Sequence, residues 1–227
     1  MTFYLLILVL FAAENEEIED DEPGELLQEL FLGELASVQE KGEIQFTTGI
    51  AYESEEKTWT APLVLEYGIS DRFQIAAELE AINKKDDERR HTELDSWGLE
   101  LAYGLIQGER NLLTLGLEGS QESEEDEETE LEFFMATSWS TSYGLFNLDS
   151  RFGEDEEQYT LAGIFPFSDW IFSSELSYQS EEDEEKLMFA PGITRSLGSW
   201  EFALGTPLNL KDTDHWEVAL NLTIEFD

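Results

Sequence analysis

Hydrophobic and polar residues alternate along this chain from Lys41 almost to its end. In the first run, Ile44, Phe46 and Ile50 share one parity, and the intervening positions, such as Gln45, are mostly polar or small. A period of two is typical of a β-strand with one apolar face, because successive side chains point to opposite sides. Twelve runs follow this rule, at 43–52, 59–68, 73–80, 97–105, 113–117, 131–139, 146–152, 159–165, 170–178, 187–193, 200–204 and 216–226.

Two kinds of connection take turns between these runs. Acidic loops lie near 54–57, 84–92, 121–129, 153–157, 181–186 and 209–214, and tight turns lie near 70–71, 107–109, 142–144, 166–169 and 198–199. An up-and-down transmembrane barrel with both termini on the periplasmic side has short periplasmic turns and longer outer loops. The sequence therefore predicts an all-β fold, a transmembrane antiparallel β-barrel of twelve strands, over residues 41–227.

The eighth and tenth runs contain residues that disturb the alternation. These residues are Gly163 and Pro166 near the end of the eighth run and Pro191 in the tenth. Proline cannot donate to a β-ladder, and glycine inside a strand often marks a bulge. We therefore predict β-bulges in these two strands.

The tryptophans fall on the apolar parity near the ends of the predicted strands. Trp and Tyr prefer the two interfaces of a bilayer, because their rings are largely apolar and carry a polar edge. If the acidic loops are outside, the outer belt holds Trp59, Trp97 and Trp216, and the inner belt holds Trp139, Trp170 and Trp200.

A soluble, secreted β-sandwich is the alternative fold, because its strands also alternate. Small residues at the polar parity, such as Gly68, Gly116 and Gly205, favour the barrel. They leave room inside a closed barrel but would be unusual on a solvated sheet surface. Sandwiches also rarely alternate long and short connections so regularly.

The first forty residues differ from the rest of the chain. The nine-residue apolar stretch FYLLILVLF at 3–11 precedes two alanines and an acidic run, which is typical of a secretory signal peptide. This stretch is about half of the roughly 20 residues that a spanning helix needs. We predict a signal peptide at 1–13, and at 14–40 an acidic leader with a short amphipathic segment, ELLQELFLGELASVQ, that forms a helical turn or a plug.

The overall charge and the residue inventory exclude several classes of function. The 53 acidic and 12 basic residues give a net charge of -41, which repels nucleic acid. The chain has no cysteine and only two histidines, His91 in a predicted loop and His215 at the outer end of the last strand, so we predict no cofactor, no metal centre and no enzymatic activity. The acidic runs 122–128 and 181–185 could collect divalent cations, although they lack the spacing of a calcium loop.

Acidic residues dominate the charge on the polar parity of the predicted strands. A ring of acidic side chains is how cation-selective pores are built, so we predict that any conduction favours cations. The alternative is that these groups only solvate an interior filled by side chains and the N-terminal segment. The predicted lumen-lining residues are Glu66, Glu78, Glu100, Glu118, Glu132, Asp149, Arg151, Glu175, Glu201 and Glu217, with Glu225 beyond them.

Several segments carry a resemblance to a known family. LFLGELASVQEKGEIQFTTGIAYE and LVLEYGISDRFQIAAELE, with WEFALGTPLNL and WEVALNLTIEF near the end, resemble outer-membrane proteins grouped as the meta-pathway of phenol degradation family, which are proposed transporters. The resemblance implies export to a Gram-negative outer membrane, with outer-membrane lipid, lipopolysaccharide and the barrel-assembly machinery as partners. The last strand resembles an assembly signal that ends in an aromatic residue, except that Asp227 follows Phe226.

Three functions remain open on the sequence alone. The first is a pore or transporter for small cationic, neutral or hydrophobic solutes. The second is a structural or adhesive surface barrel without transport activity. The third is a surface lipid hydrolase, which would need a nucleophile beside His91 or His215.

Overall fold

The computed structural model describes residues 30–55, 57–86, 89–123, 129–154, 156–181, 184–212 and 215–226. All of its regular structure is β. The strands are β1 (Ile44–Glu53), β2 (Trp59–Ser70), β3 (Phe73–Asp86), β4 (Arg89–Gln107), β5 (Asn111–Glu122), β6 (Glu130–Thr141), β7 (Gly144–Phe152), β8 (Glu156–Phe167), β9 (Trp170–Glu181), β10 (Glu184–Leu197), β11 (Trp200–Gly205), β12 (Leu208–Asn209) and β13 (Glu217–Phe226). No helix among the described residues has the length and apolarity of a membrane span.

The strands form one closed antiparallel barrel. Neighbours in sequence pair from β1 to β11, and β13 closes the circle by pairing with β1 on one side and β11 on the other. The two-residue β12 continues β11 along β10 in the same register, so the two together count as one of twelve strands. Closure gives the backbone groups of every strand a partner, which a bilayer core demands because it holds no water.

The alternation of apolar and polar residues in the sequence corresponds to the outer and inner surfaces of the barrel. Large apolar side chains such as Leu65, Leu99 and Leu220 are 48%, 50% and 51% exposed on the outer surface. Polar residues of the opposite parity, such as Thr160 and Thr223, are only 0% and 2% exposed. A soluble protein buries its apolar face, so this inverted arrangement is the one expected of strands surrounded by lipid.

The predicted bulges in the eighth and tenth strands are wrong. The ladders of β8 and β10 run in unbroken register through Gly163, Pro166 and Pro191. Pro191 faces the interruption between β11 and β12, where its carbonyl accepts from Thr206 N–H at 3.1 Å. Register shifts occur instead between Gly68 and Ser70, between Glu80 and Ala81, and between Gly104 and Ile106.

The predicted acidic loop at 84–92 is largely strand. Here β3 and β4 extend beyond the other strands as a paired hairpin, with Lys84 opposite His91 and Asn83 opposite Thr92. Lys84 Nζ lies 3.7 Å from Glu93 and 3.4 Å from Asp95. Interleaved charges therefore pair across the hairpin rather than forming a solvated loop.

Several sequence predictions lie on residues outside the described ranges. These are the signal peptide at 1–13, residues 14–29 of the predicted acidic leader and amphipathic segment at 14–40, and the centres of the acidic runs at 124–128 and 182–183.

Candidate functional site

The interior of the barrel holds the residues that precede β1. We call residues 30–40 the lumen segment. It contains neither helix nor strand and bends at residues 31–33 and at Ala36, so the helical spacing of its leucines does not describe its backbone. The chain enters at the end where the strand turns are short, where Gly42 N–H donates to Gly68 O at 2.8 Å. Ala36 is fully buried, which places the middle of the segment inside the barrel.

Polar side chains of the wall bind the backbone of the lumen segment at successive points. Gln39 N–H donates to Gln74 Oε1 at 2.7 Å on β3, and the carbonyl of Ala36 accepts from Thr114 Oγ1 at 2.6 Å on β5. The carbonyl of Glu34 accepts from Asn147 Nδ2 at 2.7 Å on β7. The segment therefore follows the inner wall from strand to strand.

The far end of the lumen segment is held by β8 and β9. The carbonyl of Leu32 accepts from Gln158 Nε2 and from Thr160 Oγ1, the latter at 3.2 Å. The carboxylate of Glu175 accepts from the N–H groups of Phe31 at 2.9 Å and Leu32 at 2.7 Å. Glu175 is fully buried, so these two donors take the place of the water that its oxygens would otherwise bind.

Apolar side chains of the segment fit matching places on the wall. The ring of Phe31 rests on Gly192 and Gly205, which are cross-strand partners; a Cβ on either would lie 2.7 Å from the ring. Real Cβ atoms do not approach so closely, so this aromatic seat depends on the two glycines. Leu30 and Leu35 pack beside the buried pair of Leu145 and Ile164.

The guanidinium of one arginine lies among several carboxylates beside the segment. Arg151 NH2 lies 2.9 Å from Glu34 Oε1 of the lumen segment, and its NH1 lies 2.8 Å from Glu118 and 3.4 Å from Glu132. Asp149, which is fully buried, lies 3.7 Å from Arg151 Nε. These contacts join four carboxylates from three strands and the segment around one guanidinium.

The other predicted lining residues do not meet at a single point. Glu66 accepts from Gln45 and Gln74, and both of these glutamines also accept from Gln39 of the segment. Glu201 is buried on β11, where Ser196 Oγ donates to it at 3.3 Å. Glu78, Glu100 and Glu217 share the inward parity of β3, β4 and β13.

Two cavities lie along the segment inside the barrel. At the end with the short turns lies a cavity of about 1340 Å³, lined by Ser37, Glu40 and Glu43 together with turn residues such as Asp71 and Arg110. A second cavity, at mid-height, has a volume of about 30 Å³. Its lining includes Glu34 and Leu35 of the segment as well as Glu66, Glu100 and Phe134 of the wall. The lumen segment therefore fills part of the barrel at mid-height.

Solved structures share this architecture. The KdgM porin in complex with disordered oligogalacturonate has a TM-score of 0.64 and 9% identity, covering 81% of this chain and 99% of its own. The NanC porin has a TM-score of 0.62 and 11% identity, covering 80% of this chain and 99% of its own. An outer-membrane channel from Pseudomonas putida F1 has a TM-score of 0.58 and 11% identity, covering 87% of this chain and 100% of its own.

The chain has the fold of an outer-membrane porin. No protein-family model matches the sequence, and no curated protein matches it. These similarities concern the fold alone, because identities of 9–11% establish no shared lumen side chains.

The six tryptophans form no joint site. Five lie at or near strand ends, whereas Trp97, predicted near a strand end, lies well inside β4 because that strand begins at Arg89. Tyr52 lies 4.9 Å from Trp59 and 5.8 Å from Trp216, ring centre to ring centre, at the loop end. At the turn end, Trp139 stacks on Phe146 at 5.9 Å. Also on the outer surface are Trp97, Trp170 and Trp200, which are 39%, 39% and 46% exposed.

The two histidines are far apart and each lies beside carboxylates. His91, predicted in a loop, is on the extended β4, where its Nε2 lies 3.4 Å from Glu93. His215 Nδ1 lies 3.1 Å from Glu55, and its Nε2 lies 3.8 Å from Asp212. Among the described residues, no group of three or more acidic or histidine side chains has a geometry suited to a metal ion.

Sequence reasoning missed the polar residues that bind the segment. These residues are uncharged, and only the charged residues of the inner wall were predicted to line the lumen. They are Gln74, Thr114, Asn147, Gln158 and Thr160. A usable signal was present, because each occupies the inward parity of its strand, where an unpaired amide or hydroxyl would need a partner.

Proposed function

We propose that this protein is a channel of the Gram-negative outer membrane for small cationic, neutral or hydrophobic solutes, and that the structure describes its closed state. The observation that carries the proposal is the polar, charged inner wall inside a closed barrel with an apolar exterior. An interior that served packing alone would be more stable with apolar side chains, because buried polar groups give a smaller net gain.

The charge of the wall supports a preference for cations. Ten carboxylates take the inward parity, and Arg151 is the one cation on that parity among the strand positions assigned from the sequence. Arg151 is itself held by Glu118 and Glu132. The field inside the lumen is therefore negative, and it repels anions while it concentrates cations.

Similar solved structures are described as porins and channels, which supports a channel function for this chain. They do not indicate one common solute. The KdgM porin is described with oligogalacturonate, which is a chain of carboxylate sugars. Such a polyanion would meet repulsion in the lumen proposed here. We therefore expect this barrel to select a different class of solute within the same architecture.

Conductance across a planar bilayer tests the proposal, and Gly33→Leu is the informative variant. A Cβ at Gly33 would lie 2.9 Å from Thr160 Cβ, and Thr160 is fully buried, so a leucine cannot stay in this place. We expect the parent to conduct weakly and Gly33→Leu to conduct well, with a reversal potential that shows cation preference. Val38→Leu is the matched control, because Val38 lines the large cavity, where there is room for a methylene group.

The filled lumen also favours a second candidate, a structural barrel that conducts nothing. If neither the parent nor Gly33→Leu conducts although both are folded, the channel proposal is wrong and the structural barrel remains. Membership of the phenol-degradation family, contacts with lipopolysaccharide and the assembly machinery, and cation binding by the acidic loops are further expectations of the proposal.

A further inference from the structure

The wall recognises the lumen segment mainly through its backbone. The structure records ten hydrogen bonds between wall side chains and residues 31–39. Eight of them end on a main-chain N–H or C=O of the segment. The other two involve the side chains of Glu34 and Gln39. Every peptide carries the same main-chain groups, so most of this recognition does not depend on the sequence of the segment.

The spacing of these contacts shows which shape is recognised. The carbonyls that accept from the wall belong to Leu32, Glu34 and Ala36, which are two residues apart. The donors come from different strands, namely Thr114 on β5, Asn147 on β7 and Thr160 on β8. The neighbouring N–H groups of Phe31 and Leu32 both reach Glu175, so the bound backbone is bent rather than a straight strand. The wall is therefore a track for a non-helical peptide, built from side chains that bind its main-chain groups.

The side-chain places along the track impose a simple preference. The seat on Gly192 and Gly205 accepts an aromatic ring, as Phe31 shows. The places of Gly33 and Ala36 admit only small residues, because Thr160 approaches one and the other is fully buried. The surrounding carboxylates disfavour additional negative charge on a ligand.

We propose that the inner wall is a binding site for non-helical peptides that carry at most the one carboxylate that Arg151 binds, and that the lumen segment occupies it in cis. The proposal rests on the proposed channel function, for which it names a substrate class. The cavity of about 1340 Å³ at the turn end adjoins the track where residues 37–40 leave it, and it admits a peptide from that side. A peptide of the same chemistry competes with the segment for the track.

The test uses the full-length Gly33→Leu protein, whose wall is unchanged, and a fluorescent decapeptide with the sequence of residues 30–39. The chain has no cysteine, so Leu35→Cys added to this variant reports by maleimide labelling that the segment has left. Fluorescence anisotropy then measures peptide binding in detergent. If Gly33→Leu does not fold, Phe31→Ala serves instead, because it empties the aromatic seat without adding an atom.

Three controls separate backbone recognition from other binding. We expect the decapeptide to bind saturably, and a peptide N-methylated at the position of Leu32 to bind about tenfold more weakly, because only the N–H of Phe31 is left to donate to Glu175. Glu175→Gln in the wall lowers affinity for both peptides, and by the smaller factor for the methylated one. A peptide that keeps Phe, Gly, Glu and Ala in place while its other residues exchange positions binds within about threefold of the first.

Each outcome bears on one proposal. If the segment has left and no peptide binds, or if the exchanged peptide does not bind, the peptide site is wrong. Equal binding of the methylated peptide also contradicts it. Conductance is measured separately on the same variant, so peptide binding without conductance refutes the channel, whereas conductance without peptide binding refutes only the peptide site.

Discussion

Replacing Glu175 by glutamine should release the lumen segment while leaving the barrel intact. The carboxylate accepts from two successive N–H groups, of Phe31 and Leu32. Glutamine keeps one acceptor and turns an NH2 group toward the other donor, so one bond to a charged acceptor is lost and one is weakened. Hydrogen bonds to charged groups are each worth about 1.5–3 kcal/mol, and we take about 2 kcal/mol as the net loss. This corresponds to about a 30-fold increase in the released fraction.

Cysteine labelling measures this change directly. Leu35→Cys, which faces the buried pair of Leu145 and Ile164, reacts with a small maleimide only when the segment is released. In proteoliposomes we expect Glu175→Gln to raise the labelling rate by about 30-fold over the same cysteine in the parent. Glu217→Gln removes an equal charge, but Glu217 pairs with Glu53 at the loop end and should leave the rate unchanged. A change below threefold, or an equal increase for Glu217→Gln, would refute the reasoning.

Three other predictions concern the barrel itself. The folded protein should remain with outer membranes and migrate faster on gels before boiling than after, and recovery from the periplasm without detergent would contradict the barrel in lipid. Leu101→Arg should impair assembly, because Leu101 is 42% exposed on the outer surface and an arginine facing lipid costs about 2–4 kcal/mol. Glu100→Arg places its arginine in the lumen and should assemble. Equal loss of assembly in both variants would contradict the assignment of inward and outward residues. Replacing Glu100 and Glu118 together by Gln should move the reversal potential of Gly33→Leu toward that of an unselective pore, and an unchanged potential would show that these carboxylates do not set selectivity.

The barrel was predictable because its signal repeats in every strand. Residues such as Leu65 and Glu66 show the period of two, and the alternation of loops and turns specifies which ends of the strands lie together. The bulges were not predictable in the same way. Pro191 departs from the pattern locally, but its tolerance depends on the interruption between β11 and β12, which the residues around Pro191 do not reveal.

The site was predictable in its charge but not in its contacts. Inward parity identifies Glu118 and Arg151 as interior residues. It does not show that Arg151 contacts both Glu118 and Glu34 of the lumen segment. Helical spacing in residues 25–39 suggests a helix, whereas the described part of this range, residues 30–39, contains neither helix nor strand. The preference of so short a segment for a helix is weak. Hydrogen bonds from the side chains of the inner wall to its backbone override that preference.

The contacts of the segment explain how a plug can be both ordered and removable. Strand pairs cannot separate in lipid, because their N–H and C=O groups would find no other partner. The groups that hold the segment, such as Thr114, Asn147 and Gln158, line a polar lumen where water can replace each bond, so each contributes only about 0.5–1.5 kcal/mol net. Its large apolar side chains meet the wall at few places, chiefly at Phe31 and beside Leu145. The barrel and its plug therefore have separate stabilities, and the segment can leave without unfolding the strands around it.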